Sequence, residues 1–186
     1  MVDPVENIIK GCCRKDPRAQ KMLYERYSGQ MFGVCLRYST SAEDAQDVLH
    51  EGFLKIFEKI EQYMFKGSFE GWIRKIMVNT ALEKFRNQYK VISIQDSAFE
   101  YDARSAEDLT DNMTAKELMN LIQELSPQYR MVFNLYAIEG YSHKEISDLL
   151  NISEGTSKSN LSRARIILQE KVKKYYSQTV RTGTTL

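Results

Sequence analysis

The stretch Ala42-Glu43-Asp44-Ala45-Gln46-Asp47-Val48-Leu49-His50-Glu51-Gly52-Phe53-Leu54-Lys55-Ile56-Phe57-Glu58-Lys59-Ile60 decides how the rest of the chain is read. Ala45, Val48, Leu49, Gly52, Phe53, Ile56 and Ile60 recur at the i, i+3, i+4, i+7 spacing of one helical face. Thr40 followed by Glu43 supplies a capping box at its start. Glu43, Asp44, Asp47 and Glu51 fall off that stripe, and their simplest reading is a solvated acidic face.

The same periodicity extends both ways. Upstream, Asp16 and Pro17 pair an N-cap with a first-turn residue and open a helix whose apolar side holds Leu23, Tyr24, Tyr27, Met31, Phe32, Cys35 and Leu36. A short segment over residues 5–13 precedes it. Downstream of Lys66 and Gly67, a helix over residues 69–90 sets Trp72, Ile73, Ile76, Met77 and Thr80 on one face and Lys75, Asn79, Arg86 and Lys90 on the other. Residues 95–112 change character: six acids against Arg104, with little periodicity, read as an acidic linker.

Helical patterning then resumes. Ser126 and Pro127 start a helix that runs to about residue 138 and is stopped by Gly140. Ser142 and Glu145 box a short helix carrying Ile146, Leu149 and Leu150. After the turn Asn151-Ile152-Ser153, Ser153 caps a longer helix over residues 154–176, and a polar, frayed tail follows. The expected fold is all-α: two helical domains joined by an acidic linker, the second a helix-turn-helix domain. The divisions fall at residues 1–92, 93–114, 115–176 and 177–186.

Composition bounds the function. With 26 Lys plus Arg against 25 Asp plus Glu, the net charge of +1 gives no whole-chain argument for nucleic acid or membrane, so the case rests on how charge is distributed. No apolar run approaches the ~20 residues of a bilayer span, and the N-terminus lacks the blocks of a secretion signal, so a cytosolic protein without membrane insertion is expected. Three cysteines and two histidines show no zinc spacing. His50-Glu51 begins like a zinc-protease motif, but Leu54 stands where its second histidine belongs. Neither a nucleophile with its base nor a glycine-rich phosphate loop is visible, so no enzyme, metal or cofactor is expected.

Two segments concentrate base. Residues 154–176 carry a local net charge of +4, the footprint of phosphate contact on the second helix of a helix-turn-helix. Residues 72–90 also net +4, and Tyr63, Phe65, Phe69 and Trp72 lie just upstream or at their start. Rings among cations suit single-stranded nucleic acid. Phe69 and Trp72 are expected in the core, whereas Tyr63 and Phe65, in a polar loop before Gly67, are harder to bury.

These residues resemble a known family. Asp44 through Phe53, with Gly67-Ser68-Phe69-Glu70-Gly71-Trp72-Ile73 and Asn79-Thr80-Ala81, resembles region 2 of bacterial sigma factors of the extracytoplasmic-function class. Leu125 through Arg130, Gly140 through Ile146, Glu154-Gly155-Thr156 and Arg163-Ala164-Arg165 resemble their region 4. The resemblance implies a transcription initiation factor that binds core RNA polymerase and promoter DNA and answers to an anti-sigma factor.

By that resemblance, Glu43, Asp44, Asp47 and Glu51 with Phe53, Leu54 and Phe57 dock on helices of the largest polymerase subunit. Tyr63, Lys66, Lys75, Asn79 and Arg86 hold the melted minus-10 strand. Thr156, Lys158, Ser159, Asn160, Ser162, Arg163 and Arg165 meet the minus-35 element. Tyr63 is expected to stack on a flipped base, the alternative being a ring packed beneath its loop. Asn160 is expected to pair its amide with adenine. Ser157 departs from the family's usual aliphatic residue. Two other readings are a helix-turn-helix regulator that works without polymerase and a helical adaptor for proteins. A simple repressor needs neither the acidic helix nor the aromatic loop, and the basic second helix argues against the adaptor.

Overall fold

A computed structural model describes residues 4–89 and 113–182. Residues expected to form the acidic linker, and Lys90, lie outside this range. The chain separates into two compact units divided between Val91 and Ile92. Among the described residues there are helices and turns but no strands.

The N-terminal unit holds α1 (Pro4–Cys13), α2 (Pro17–Tyr38), α3 (Ala42–Lys59), a 3-10 turn (Ile60–Gln62) and α4 (Phe69–Tyr89). Asp16 caps α2 as its sequence requires, its carboxylate accepting the Arg18 N–H at 2.9 Å with Pro17 following. At α3 the cap lies one residue later than expected. Ser41 adopts extended backbone and its Oγ accepts the Asp44 N–H at 3.1 Å, while the Asp44 carboxylate accepts the Thr40 N–H at 2.8 Å. Asp44 thus gives its N–H to the cap and takes the Thr40 N–H on its carboxylate, one residue outside the box the sequence predicts.

The α3 stripe is buried as its spacing requires: Ala45, Val48, Leu49, Gly52, Phe53 and Ile56 all face inward. The helix packs against α2 and α4, where Leu23, Met31 and Cys35 of α2 and Ile73, Met77 and Thr80 of α4 are also buried. Burial pushes the thiols of Cys12 and Cys35 up to about 11 and about 12, so both stay protonated at neutral pH and behave as packing groups.

The C-terminal unit holds α5 (Ala115–Gln123), α6 (Pro127–Phe133), α7 (His143–Leu150) and α8 (Glu154–Thr182). The helix α5 opens on a capping box of Thr114 and Glu117. After α6 the chain widens into a π turn at Asn134–Ile138, closed by the Glu139 N–H on the Asn134 carbonyl at 3.0 Å, and reverses at Gly140 with φ +78. Ser142 and Glu145 box α7, and Asn151 ends it in the left-handed region at φ 55. Ser153 Oγ then accepts the Thr156 N–H at 2.9 Å.

Helix α8 continues to Thr182, so residues 177–182 are helical and not the frayed tail expected from their polarity. After Gly155 the next glycine or proline is Gly183, which leaves nothing to stop the helix sooner. Ile122, Leu125, Ala164 and Leu168 form one buried cluster, with Leu118, Leu121, Tyr129, Phe133 and Ile167 against it. Glu124 pairs with Lys171 and Glu117 accepts the Tyr175 hydroxyl, so α5 is also fastened to α8 by polar contacts.

Two glycines of the N-terminal unit are expected to respond oppositely to a methyl group. A Cβ on Gly11 would stand 2.5 Å from Ala19 Cβ, whereas one on Gly29 would meet nothing within 4 Å. Gly11→Ala should lower stability in urea unfolding, since overpacking costs about 1–3 kcal/mol against roughly 1 kcal/mol of helix propensity gained. Gly29→Ala should raise stability by about 0.5–1 kcal/mol.

Candidate nucleic-acid and partner surfaces

The loop between the 3-10 turn and α4 is built on an aromatic floor. Tyr63 is only 8% exposed, and its ring lies 5.0 Å from Phe69, 5.7 Å from Trp72 and 5.1 Å from Phe65 between centroids. Its hydroxyl donates to the Gly67 carbonyl at 2.8 Å. Tyr63 is therefore not an open stacking surface, and the expectation that it captures a base is corrected: its one polar atom closes the loop and its ring fills the space beneath.

What the floor raises into solvent is the pair next to it. Met64 is 68% exposed and Phe65 51% exposed. Phe65 is held at φ 57 and Gly67 at φ 82. The left-handed region costs a residue with a side chain about 1–3 kcal/mol and persists where the surroundings over-determine it, here through the Tyr63 anchor. The sequence signal for Phe65 was present in the aromatic pair Phe69 and Trp72, which gives Tyr63 somewhere to pack. On α4, Lys75 and Arg86 are exposed and Asn79 is half-buried, and Lys66 is exposed in the loop.

On α3 the structure divides the expected docking set. Glu43, Asp47, Glu51 and Leu54 share one exposed stripe at helical spacing, with Leu54 64% exposed and Phe57 half-buried beside it. Phe53 is 2% exposed and packs on Tyr24, centroids 4.6 Å apart, so its assignment to a docking face is corrected. Asp44 turns toward α4, where Lys84 lies at 2.6 Å. Burial raises its carboxyl pKa, but bonds from Lys84 and Thr40 outweigh this and hold it below the usual carboxylate value.

Lys84 also reaches Asp47 at 3.3 Å, and Lys55 joins Glu51 at 2.7 Å to Glu83 at 2.6 Å. The acidic stripe is thus partly neutralised by the protein's own bases. Each such pair is worth at most about 1 kcal/mol at this exposure, so a basic partner can compete for Asp47 and Glu51.

The second helix of the helix-turn-helix sorts in the same way. Lys158 and Arg165 are exposed, with Thr156, Ser159, Ser162 and Arg163 half-buried. Arg165 lies over the Tyr136 ring at 5.7 Å, and Arg163 Nη1 donates to the Tyr129 hydroxyl at 3.2 Å. Asn160 is 5% exposed, which corrects its assignment as the reader of adenine, because a side chain facing the core does not reach a base edge. Ser157, Asn160, Leu161, Ala164 and Leu168 form one buried stripe. Their i, i+3, i+4, i+7 spacing was visible in the sequence, but two polar members hid it. Ser157 shares a hydrogen bond of 2.9 Å with His143 Nδ1.

No helix among the described residues is long and apolar enough to cross a membrane, and none of their His, Cys, Asp or Glu side chains group in threes to hold a metal ion.

The pattern of sigma-70 region 2 matches residues 23–91, and that of sigma-70 region 4 matches residues 115–168. The ECF RNA polymerase sigma factor SigE of Mycolicibacterium smegmatis is 28% identical over 167 residues, covering 87% of this chain and 64% of that protein. The chain thus spans just under two thirds of that relative's length. The ECF RNA polymerase sigma-E factor of Haemophilus influenzae is 28% identical over 180 residues, covering 90% and 93% respectively. Among solved structures, the sigma factor RpoE from Bartonella quintana, crystallised with the anti-sigma factor NepR, aligns over 82% of this chain and 96% of its own, at TM-score 0.47 and 21% identity.

The corrected roles are checked by stability measurements. Tyr63→Phe should cost about 0.5–1.5 kcal/mol in urea unfolding, the worth of one hydrogen bond. Asn160→Ala should cost about 1–3 kcal/mol, as truncation of a buried polar group does. An Asn160→Ala protein of unchanged stability would show that this side chain is not part of the core.

Proposed function

Because the chain belongs to the sigma-70 family, as a sigma factor of the extracytoplasmic-function type, we propose that it binds core RNA polymerase in the cytoplasm, directs it to specific promoters and helps open the DNA. The polymerase makes the bonds, and the chain itself is no enzyme. The observation that carries this reading is the occurrence of both sigma-70 patterns, in order, on one chain whose helix-turn-helix presents Lys158 and Arg165 outward. A partner that masks these surfaces, an anti-sigma factor, is proposed from the family resemblance.

Three surfaces divide the work. The stripe Glu43, Asp47, Glu51 and Leu54, with Phe57 at its border, docks on a basic surface of the polymerase. Phe65 takes the part first expected of Tyr63 and stacks on an unpaired base of the minus-10 strand, with Lys66, Lys75, Asn79 and Arg86 holding the backbone. Lys158, Ser159, Ser162 and Arg165 meet the minus-35 duplex, Lys158 and Arg165 supplying charge. Support for the second role is the exposed ring of Phe65 on a braced left-handed backbone.

Run-off transcription with purified core polymerase, on promoters found by genome-wide occupancy, tests the whole reading. Asp47→Lys with Glu51→Lys should abolish co-purification with core polymerase while helicity is retained, since both positions lie off the apolar stripe. Normal holoenzyme assembly by the double variant would refute the docking stripe. Phe65→Ala should leave stability within about 0.5 kcal/mol, as exposed substitutions do. It should also lose promoter melting, with partial recovery on a pre-melted bubble template. Melting at the wild-type level would remove Phe65 from base capture.

A further inference from the structure

His143 begins α7, yet its side chain is engaged with two other elements. Its Nδ1 shares a 2.9 Å hydrogen bond with Ser157 Oγ, a side chain of α8 that is fully buried. Its ring stacks on Tyr136 of the π turn, centroids 4.7 Å apart and planes 24° from parallel. The guanidinium of Arg165 lies over the same Tyr136 ring at 5.7 Å. Ser157 immediately precedes Lys158, and Arg165 follows two turns later, so the imidazole is tied to α8 beside Lys158 and, through Tyr136, at Arg165.

We propose that His143 is a positioning residue for minus-35 recognition, fixing through Ser157 and Tyr136 the rotation of α8 that presents Lys158 and Arg165 to DNA. The inference rests on the minus-35 reading of α8 and goes beyond it by placing a determinant of readout outside the recognition helix. A helix rotated by part of a turn keeps its charge near phosphate but loses alignment with base edges. Sequence discrimination therefore suffers before total affinity does.

The junction is also sensitive to acid. Glu154, Lys158 and Arg165 act on His143 from α8, Tyr136 faces it from the π turn, and Lys144 and Glu145 flank it on α7. Burial is the largest influence and disfavours the imidazolium; Lys158 and Arg165 add to this, and Glu154 opposes them. The folded-state pKa thus lies below the ordinary 6.5. The neutral ring's contribution is fully present above 6.5 and is lost as pH falls through the lowered folded value. An imidazolium adds a charge that any DNA sequence attracts, so the quantity to measure is discrimination rather than affinity.

Holoenzyme reconstituted from the full chain and core polymerase is allowed to bind a duplex library randomised across the minus-35 region, at about pH 8 and about pH 5.5, either side of the ordinary histidine range. Enrichment of preferred over bulk sequences is read by sequencing. For the wild type, enrichment should fall in acid. His143→Asn places an amide that can bond Ser157 but does not titrate in this range, and it should keep the wild-type enrichment at the higher pH and lose the acid dependence. His143→Leu and Ser157→Ala should lower enrichment about two- to tenfold at the higher pH, the range one hydrogen bond is worth, with no further fall in acid. Rescue by Asn separates positioning from a folding defect. A His143→Asn protein that follows the wild-type pH profile, or a His143→Leu protein with undiminished enrichment, overturns the proposal. A wild-type holoenzyme with no minus-35 preference overturns the reading of α8 as well.

Discussion

Where α3 meets α4, a Cβ on Gly52 would stand 2.2 Å from Met77 Sδ, so the two helices approach as closely as they do because position 52 has no side chain. The surfaces of the N-terminal unit follow from that approach. It draws Phe53 into the core and brings Lys84 within reach of Asp44 and Asp47, and Lys55 within reach of Glu83. Glu43, Asp47, Glu51 and Leu54 remain outside as one stripe. Because Lys84 faces α3, the basic character α4 offers to solvent comes from Lys75 and Arg86 among the described residues.

The C-terminal unit applies the same rule with polar residues in the buried role. Burial of Ser157 and Asn160 with Leu161, Ala164 and Leu168 turns Lys158, Ser162 and Arg165 away from the core. In both units a side chain of polar or aromatic type that is buried serves as scaffold for an exposed neighbour. Tyr63 holds up Phe65, and Ser157 fixes the helix that carries Lys158. A hydroxyl is tolerated at each site because it has a partner, the Gly67 carbonyl in one case and His143 in the other.

Several features that rest on neighbours within a turn or two were legible in the sequence: the α3 stripe, the caps at Asp16 and at Ser142 with Glu145, and the turn at Asn151, though not the Thr114 and Glu117 box that opens α5. These depend on helical periodicity and on bonds between residues two to four apart, which no distant contact has to supply. The order of motifs carried the family resemblance for the same reason. The two local misreadings arose where neighbouring residues compete for one role. Thr40 and Ser41 can each cap α3, and a polar tail without glycine or proline reads equally as coil or as helix.

The choice among polar and aromatic residues of which turn inward was decided by the tertiary structure. Ser157 is buried by His143, fourteen positions away, and Asp44 is drawn in by Lys84, forty positions away. Tyr63 is pinned by rings on the following helix. A tyrosine, serine or aspartate is stable in water or against a neighbouring helix, and a partner within reach decides between them. The sequence alone therefore determined the helices other than α5, most of their apolar faces and the segments rich in base and acid. Which of the polar and aromatic side chains in those segments remain free to meet a partner was set by packing between helices, because that is where their hydrogen-bond and ring partners come from.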